Sequence, residues 1–247
     1  MSTPPISTDD PARRPPTPGV IVDRTDPASS PGHHLTPRGV VDLRGRAGGD
    51  VRLSYPADAA VVVAGLPGSG KSTLLRAWSA AATVVDPRAT RDAHEARMPD
   101  WLPYGAYRPW ARLNHMRWIR SEMGRRRPLL IHDCGSRPWM RRWLAHTAGR
   151  AGRPLHMVVL DVGPQEALSG QHARRRLVSA RVFRVHERGL ARLLDRLGPG
   201  DGPATATAAA VATGVSSVVL LDRALRDRRV VSVRFGPGSG SGTGREA

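Results

Sequence analysis

The chain is poor in cysteine, lysine and acidic side chains. Its 247 residues include one cysteine, Cys134, which cannot form an intramolecular disulfide or a cysteine-rich zinc site, even with nine histidines elsewhere. Its 38 basic side chains outnumber the 21 acidic ones, so the net charge is +17. All of these basic side chains are arginine except one, Lys71. A single lysine in so basic a chain indicates a position that requires a compact ammonium group rather than a guanidinium.

Long apolar runs are also missing. No stretch approaches the ~18 apolar residues that cross a bilayer, and the N-terminus lacks the apolar core of a signal peptide. Hydrophobic residues nevertheless make up 40% of the chain, which is enough to build a globular core. We therefore expect a cytoplasmic globular protein with no membrane partner, folded as one large domain or two small ones.

The two ends of the chain differ in composition from the middle. Residues 1–38 hold nine of the 22 prolines and predict a disordered arm, while 236–247 predict a flexible Gly/Ser tail. Between the arm and the main domain, Val40–Leu43 and Val51–Leu53 predict a short β lead-in over 39–58, folded as a hairpin.

Residues 59–235 alternate short apolar runs with longer helical stretches, which is typical of a parallel α/β sheet. Runs such as Val61–Val63 are continuously apolar, as expected for strands buried on both faces. We predict a doubly wound domain with helices on both faces of a mostly parallel sheet, and a loop over 198–214. The predicted strands are 60–64, 83–85, 129–132, 156–160, 217–221 and 230–234, and the predicted helices are about 70–81, 108–123, 137–149, 164–175 and 179–197.

One motif in this domain is typical of phosphate binding. Gly65–Ser72 reads G-L-P-G-S-G-K-S, which matches G-x-x-x-x-G-K-[ST] between a predicted strand and a predicted helix. Its glycines let backbone N–H groups point at phosphate oxygens, and the helix N-terminus adds partial positive charge. Lys71 is predicted to reach the β- and γ-phosphates, and Ser72 to ligate Mg²⁺. The predicted nucleotide contacts are Gly65, Pro67, Gly68, Ser69, Gly70, Lys71, Ser72 and Thr73. The motif predicts a three-layer P-loop NTPase fold.

Two aspartates follow predicted strands at the carboxyl edge of the sheet, where ligands of open α/β sheets collect. Asp133 follows 129–132 and is predicted to hold Mg²⁺. Asp86 follows 83–85 and is predicted to orient a substrate hydroxyl as a general base. The alternative for both is a structural role, since Asp86 can begin a helix and Asp133 lies beside a turn.

An arginine-rich segment at about 164–180 predicts a lid that closes over the nucleotide. Arg174 and Arg176 are predicted to neutralise charge on the transferred phosphoryl group, the alternative being a solvated basic helix face. In the helix that follows, His186 is predicted to lie at the surface. The predicted apolar side of that helix is Val182, Val185, Leu190, Leu193 and Leu194.

Two further features concern the partner of the nucleotide. Basic clusters at 125–127, 174–176 and 226–229 favour a nucleic acid, although arginine-rich composition alone accounts for the same clusters. Five of the eleven aromatic residues lie between 101 and 118. They either stack on a base or ring of the acceptor or pack on the core.

In their order along the chain, these motifs resemble P-loop kinases related to polynucleotide 5′-hydroxyl kinases, gluconate kinases and zeta-toxin-like kinases. The resemblance spans about 60–197 and rests on Gly65–Thr73, Asp86, Leu130–Asp133 followed by Arg137, Arg141 and Trp143, then Val159–Val162 and Arg174–Val178. It implies that Lys71 and Ser72 handle ATP and Mg²⁺, that Asp86 is the base and that Arg174 and Arg176 contact phosphates. The chain departs from the family pattern at Pro87 and Ser179. Its P-loop is also compatible with a description as an AAA-type ATP-binding protein.

We therefore expect an Mg²⁺-dependent kinase that transfers the γ-phosphoryl group of ATP to a hydroxyl of a small molecule or a nucleic-acid 5′ end. ATP is favoured over GTP because the chain has no Asn-Lys-x-Asp motif. The competing hypothesis is an ATPase or nucleotide-dependent switch that binds a partner without a small-molecule acceptor. A base beside an acceptor pocket would favour the kinase. The sequence leaves the acceptor and the oligomeric state open.

Overall fold

The structure is a computed structural model that describes residues 33–46, 49–174, 178–198, 210, 213–228 and 230–236. Most of the predicted arm and tail, and most of the 198–214 loop, lie outside the described residues. The strands are β1 (His33–Leu35), β2 (Gly39–Asp42), β3 (Val51–Pro56), β4 (Ala60–Gly65), β5 (Thr83–Val85), β6 (Leu129–His132), β7 (Leu155–Leu160), β8 (Ser217–Leu221) and β9 (Val231–Gly236). The helices are α1 (Lys71–Trp78), α2 (Pro87–Glu95), α3 (Tyr104–Gly124), α4 (Pro138–Arg150), α5 (Pro164–Ala173), α6 (Ala180–Leu197) and α7 (Arg223–Arg228).

Six strands form the main sheet in the order β2-β8-β7-β4-β6-β5, and every neighbouring pair is parallel. The continuously apolar runs lie at its centre, where β4, β7 and β8 are buried along their whole length. Because parallel strands are joined by crossovers, their carboxyl ends share one edge of the sheet. The predicted α/β fold with a mostly parallel sheet is confirmed.

The hairpin predicted before the main domain is wrong. β2 is instead an edge strand of the main sheet and pairs with β8, while β3 belongs to a second, three-stranded sheet of order β1-β3-β9. The prediction of 230–234 as another strand of the parallel α/β sheet is corrected in the same way, since β9 pairs with β3. Short apolar runs show that a strand is present but carry no information on its partner, so neighbours along the chain were wrongly paired.

Buried contacts attach the second sheet to the main domain. The Trp78 indole at the end of α1 donates to the Val231 carbonyl oxygen at 2.9 Å. The Tyr55 ring of β3 lies 4.8 Å from the His156 ring of β7, measured between centroids. Both sheets therefore share one apolar core. Among the helices of the described ranges, none combines the length and the apolar character that a membrane crossing requires.

Candidate active site

The loop between β4 and α1 has the backbone shape that its glycines allow. Gly68 and Gly70 have φ values of 92° and 99°, in the left-handed region that side chains rarely adopt. A Cβ atom at Gly68 would lie 2.0 Å from the Ala167 carbonyl oxygen of α5. The loop is thus tightly wound and pressed against a second element, which leaves no space for a larger residue.

The inner side of this loop offers donors that the fold does not use. The Ser69 N–H donates to the Leu66 carbonyl oxygen at 3.1 Å. The next amides, those of Gly70, Lys71 and Ser72, have no acceptor among the described residues. The buried Ser69 hydroxyl has no partner there either. Unpartnered donors at a helix N-terminus bind phosphate groups, so the residues of this loop fit the phosphates of a nucleotide.

Lys71 is held inside the loop. Its Nζ donates to the carbonyl oxygens of Gly65 at 2.9 Å and Leu66 at 2.8 Å, and the residue is 4% exposed. Burial lowers the pKa of Lys71, and the nearby Cys134 and Asp133 act in the opposite direction. The ammonium group therefore lies where the β- and γ-phosphates of a bound nucleotide would approach.

The predicted magnesium ligands lie on neighbouring elements of the same edge. Asp133 follows β6, where its N–H donates to the Val63 carbonyl oxygen of β4 at 3.2 Å and its Oδ2 accepts from the Gly135 N–H at 2.8 Å. Its Oδ1 has no partner among the described residues. A carboxylate and the Ser72 hydroxyl are hard oxygen donors that suit Mg²⁺. No cluster of three or more His, Cys, Asp or Glu residues suited to a metal occurs in the described ranges. Phosphate and water oxygens would therefore have to complete the magnesium shell.

Asp86 begins a helix, as the structural alternative predicted, and it also contacts a histidine at the same edge of the sheet. It caps α2, because its Oδ1 accepts from the Arg88 N–H at 2.9 Å, and its Oδ2 lies 3.0 Å from Nδ1 of His132. Burial alone would raise the pKa of Asp86, but the adjacent His132 ring and the Arg88 N–H outweigh it and lower this pKa. The Asp86–His132 pair joins the ends of β5 and β6 beside Asp133. His132 belonged to the sequence motif, yet its role could not be assigned before its partner was known.

The first part of the predicted lid, α5, is docked on the P-loop. A Cβ atom at Gly170 would lie 2.4 Å from the Gly68 carbonyl oxygen, and the Gln171 side-chain amide donates to the Pro67 carbonyl oxygen at 3.0 Å. Arg174 Nη2 donates to the Thr73 hydroxyl at 3.1 Å. The structure thus brings Arg174 to the predicted nucleotide contacts, while Arg176 lies outside the described residues.

A second arginine reaches the loop from α7 and was missed as a site residue. Arg226 donates from Nη1 to the Ser69 carbonyl oxygen, and its side chain lies against Gly70. The sequence placed it only in the basic cluster 226–229. Between α5 and α7 lies an open cleft of about 430 Å³. It is lined by Gly68, Thr73, Glu166, Ser169, Gly170, Ala173, Arg174, Arg223, Arg226 and Asp227.

A second cavity, of about 240 Å³, opens between α2, α3 and α4, on the side of Asp133. We call it the acceptor pocket, after the role that we propose for it below. It carries three arginines and three histidines beside apolar side chains. Its lining residues are Pro87, Tyr104, Arg108, Ala111, Arg112, His115, Met116, His132, Asp133, Cys134, Arg137, Met140 and His186.

One histidine of this pocket corrects the sequence prediction. His186 is 7% exposed rather than at the surface, and its Nδ1 lies 2.6 Å from the Ser136 hydroxyl. The buried side of α6 instead includes Phe183, whereas Val182 and Val185 are exposed. Leu190 and Leu193 are buried as predicted, so the predicted apolar side is wrong only in the first half of α6. Burial lowers the pKa of His186, so the imidazole is favoured in its neutral form.

The aromatic residues between 101 and 118 differ in how far they are buried. Tyr107 is buried, and its ring packs edge-on against Tyr104 at 5.3 Å between centroids. Tyr104 also lines the acceptor pocket. Trp101 and Trp110 are the most exposed large apolar residues of the described chain. Packing and pocket lining therefore account for the tyrosines but not for these two tryptophans.

The parallel sheet, the glycine loop at the end of β4 and the lysine at the start of α1 define a P-loop NTPase fold. The chain belongs to the family whose model is described as "AAA domain", which matches residues 61–199. The predicted resemblance to P-loop kinases is confirmed. None of the curated proteins matches the chain.

Several solved structures are similar to this one. A chain of the PezAT chromosomal toxin–antitoxin system of Streptococcus pneumoniae matches with a TM-score of 0.50 at 15% identity, over 71% of this chain and 70% of that one. It supports the fold. The tunicamycin resistance protein of Deinococcus radiodurans matches with a TM-score of 0.41 at 15% identity, over 65% of this chain and 98% of its own. A gluconokinase of Sinorhizobium meliloti matches with a TM-score of 0.38 at 19% identity, over 65% of this chain and 93% of that one.

Proposed function

We propose that the protein is an Mg²⁺-dependent kinase that transfers the γ-phosphoryl group of ATP to a hydroxyl of an acceptor bound in the acceptor pocket. The observation that carries this proposal is the presence of two separate cavities beside residues of the phosphate site. The cleft between α5 and α7 adjoins the P-loop on one side, and the acceptor pocket begins at Asp133 and Cys134 on the other. Asp133 and Cys134 both raise the pKa of Lys71 electrostatically. An ATPase needs only the first cavity.

The proton of the acceptor hydroxyl requires a base. The His132 ring lines the pocket and contacts Asp86 through Nδ1, so the pair is placed to accept this proton as one unit. The acceptor oxygen then forms a bond to the γ-phosphorus as the bond from that phosphorus to the bridging oxygen breaks. Lys71, Arg174 and the free amides of the loop offset the charge on the phosphate oxygens. Mg²⁺, held by Ser72 and Asp133, would neutralise further phosphate charge when bound.

The chemistry of the pocket favours a polar or anionic acceptor. Arg108, Arg112 and Arg137 line it without an ion-pair partner among the described residues, and Asp133 is its one carboxylate. Arginine forks bind carboxylates and phosphates through paired hydrogen bonds. A hydroxylated acid, a sugar phosphate and a nucleic-acid 5′ end all meet this requirement.

The competing function is a nucleotide-dependent switch or ATPase. One observation favours it: both oxygens of Asp86 have partners within the protein, as a purely structural aspartate would. The two functions differ in their response to an acceptor. A kinase consumes ATP faster when its acceptor is added, whereas a switch does not respond to small hydroxylated molecules.

The test is ATP consumption by the purified protein with Mg²⁺, alone and with pools of sugars, hydroxy acids, nucleosides and 5′-hydroxyl oligonucleotides. Lys71→Ala serves as the inactive control. We expect one pool to stimulate turnover and to gain radiolabel from γ-labelled ATP. If ATP binds tightly and no pool is labelled, the kinase proposal fails and the switch is favoured.

A further inference from the structure

A cleft at the far end of α3 and α4 lies outside the site described above. It has a volume of about 510 Å³ and includes Arg120, Met123, Trp143, His146, Thr147 and Arg150. We call it the α3–α4 groove. Arg112 and Met116 of α3 line the acceptor pocket, and Arg120 lies the next helical turn along, about 12 Å from Arg112 at the usual rise of a helix. The groove and the pocket are therefore successive sections of one side of α3.

The groove carries positive charge that the protein leaves unbalanced. Arg120 and Arg150 are exposed and have no carboxylate partner among the described residues. Two nearby arginines are paired, since Arg125 contacts Glu122 at 2.6 Å and Arg126 contacts Asp58 at 2.7 Å. No acidic side chain lines the groove. A cleft of this charge attracts an anion, and a chain-like anion above all.

Indole rings accompany these charges. Trp143 forms part of the groove wall while its other side packs against the core. One turn earlier on α4, Trp139 is 44% exposed, and the Arg112 guanidinium lies 5.3 Å from its ring centroid. Arginines that alternate with accessible aromatic rings suit a nucleic acid, because arginines bind its phosphates and aromatic rings stack on its bases. An acidic peptide or a lipid surface would leave the rings without a stacking partner.

We propose that the α3–α4 groove binds single-stranded nucleic acid, with phosphates on Arg120 and Arg150, one base against Trp143 in the groove and another against Trp139, one helical turn beyond it. Trp139 and Arg150 lie about 16 Å apart along α4, which spans four to five stacked nucleotides at ~3.4 Å each. A duplex would present phosphates but would hide its bases from the indoles. This binding does not depend on the proposed kinase activity.

The test is fluorescence anisotropy of a labelled 12-nucleotide single strand without ATP, between 50 and 200 mM salt. Arg120→Ala/Arg150→Ala is the test variant. Arg188→Ala/Arg192→Ala is its charge-matched control, because both residues are exposed on α6 and their side chains donate only to backbone carbonyls of that helix. Trp139→Leu is compared with Trp110→Leu, whose ring is exposed outside the groove. Lys71→Ala is measured as well, so that binding is separated from phosphoryl transfer.

We expect the groove double variant to bind the single strand at least tenfold more weakly. The slope of log affinity against log salt concentration should become less steep by about 1.4, because each of the two lost phosphate contacts contributes about 0.7. The α6 double variant should stay within about twofold of the unmutated protein, and Lys71→Ala should bind normally. Trp139→Leu should lower the affinity for the single strand about fivefold or more, whereas Trp110→Leu should lower it little. Equal losses in the two double variants would show general charge attraction and overturn the proposal. Absence of binding, or equal affinity for a duplex of the same length, would also overturn it.

Discussion

The His132 ring nitrogen Nδ1 lies 3.0 Å from Oδ2 of Asp86, and this contact joins the ends of two adjacent strands at the edge that carries the P-loop. The carboxylate also caps α2 through its other oxygen. A single aspartate thus fixes a helix and orients an imidazole that lines the acceptor pocket. Substitution of this aspartate by asparagine separates the two roles, because asparagine caps helices about as well but carries no charge.

Asp86→Asn should therefore leave the fold and ATP binding intact while it slows turnover. We expect kcat to fall by about 10²–10⁴-fold, the usual contribution of a general base. ATP affinity by calorimetry and kcat with the identified acceptor are the two measurements. Asp92→Asn, at an exposed position of α2, is the control and should behave as the unmutated protein. If kcat for Asp86→Asn stays within about threefold, the aspartate has no part in the proton transfer.

Gly170→Ala tests the contact between α5 and the P-loop. Alanine is the better helix former by ~1 kcal/mol, so helix propensity alone predicts a gain in stability. Its Cβ would, however, lie 2.4 Å from the Gly68 carbonyl oxygen and push α5 away from the loop. We expect ATP to bind about tenfold or more weakly. Gly149→Ala in α4, where a Cβ meets nothing within 4 Å, should leave ATP binding unchanged. Equal behaviour of the two variants would contradict the packing argument.

Arg226→Ala tests the unexpected arginine at the P-loop. Its guanidinium donates to the Ser69 carbonyl oxygen, and a charge-assisted hydrogen bond of this kind contributes about 1.5–3 kcal/mol. Because the same charge adjoins the phosphate loop, we expect the affinity for ATP to fall by about 10–100-fold. Arg228→Ala removes an arginine of the same helix that contacts Ala224 and Arg46 instead. A loss of similar size in that control would show that net charge, and not position, is responsible.

The stability of the protein should depend on pH through His156. Its burial lowers the pKa to about 4, while an unfolded histidine titrates near 6.5. Between these values the unfolded chain binds the extra proton, so the free energy of unfolding falls as the pH drops from about 6.5 to 4, by about 3 kcal/mol in all. Urea unfolding at pH 7.5 and pH 4.5 measures this loss.

His156→Gln should remove the part of the pH dependence that His156 contributes, since glutamine cannot take up a proton, while His115 and His186, whose pKa values burial also lowers, keep their parts. His172→Gln, at an exposed position of α5, is the matched control and should keep the full dependence. The same pH dependence in His156→Gln as in the unmutated protein would assign the acid sensitivity to other groups.

The phosphate loop could be predicted from the sequence because its chemistry is local. The glycines, the lysine and the serine all lie within Gly65–Ser72, and the strand and helix that flank them have clear apolar patterns. Asp86 and Asp133 could be placed at the carboxyl edge for the same reason, since each directly follows a short apolar run. Local pattern also explains why the positions of the main strands agree with the structure.

The partners of these residues could not be predicted in the same way. His132 is assigned a role only by its contact with Asp86, and that contact depends on β5 and β6 being neighbours in the sheet. His186 was placed on the wrong side of α6, because the rotation of a helix is decided by what it packs against. The pairing of β2 with β8 and of β3 with β9 involves residues that are far apart in the chain.

Local residue spacing is enough to indicate the class of chemistry, since a loop that wraps a phosphate needs glycines, a lysine and a serine at fixed short spacing. The surroundings of that loop, in contrast, depend on how the chain folds. Arg226 approaches it from one side and the acceptor pocket opens beyond Asp133 on the other. These contacts arise from strand order and helix packing, which bring distant residues together and which local patterns do not specify.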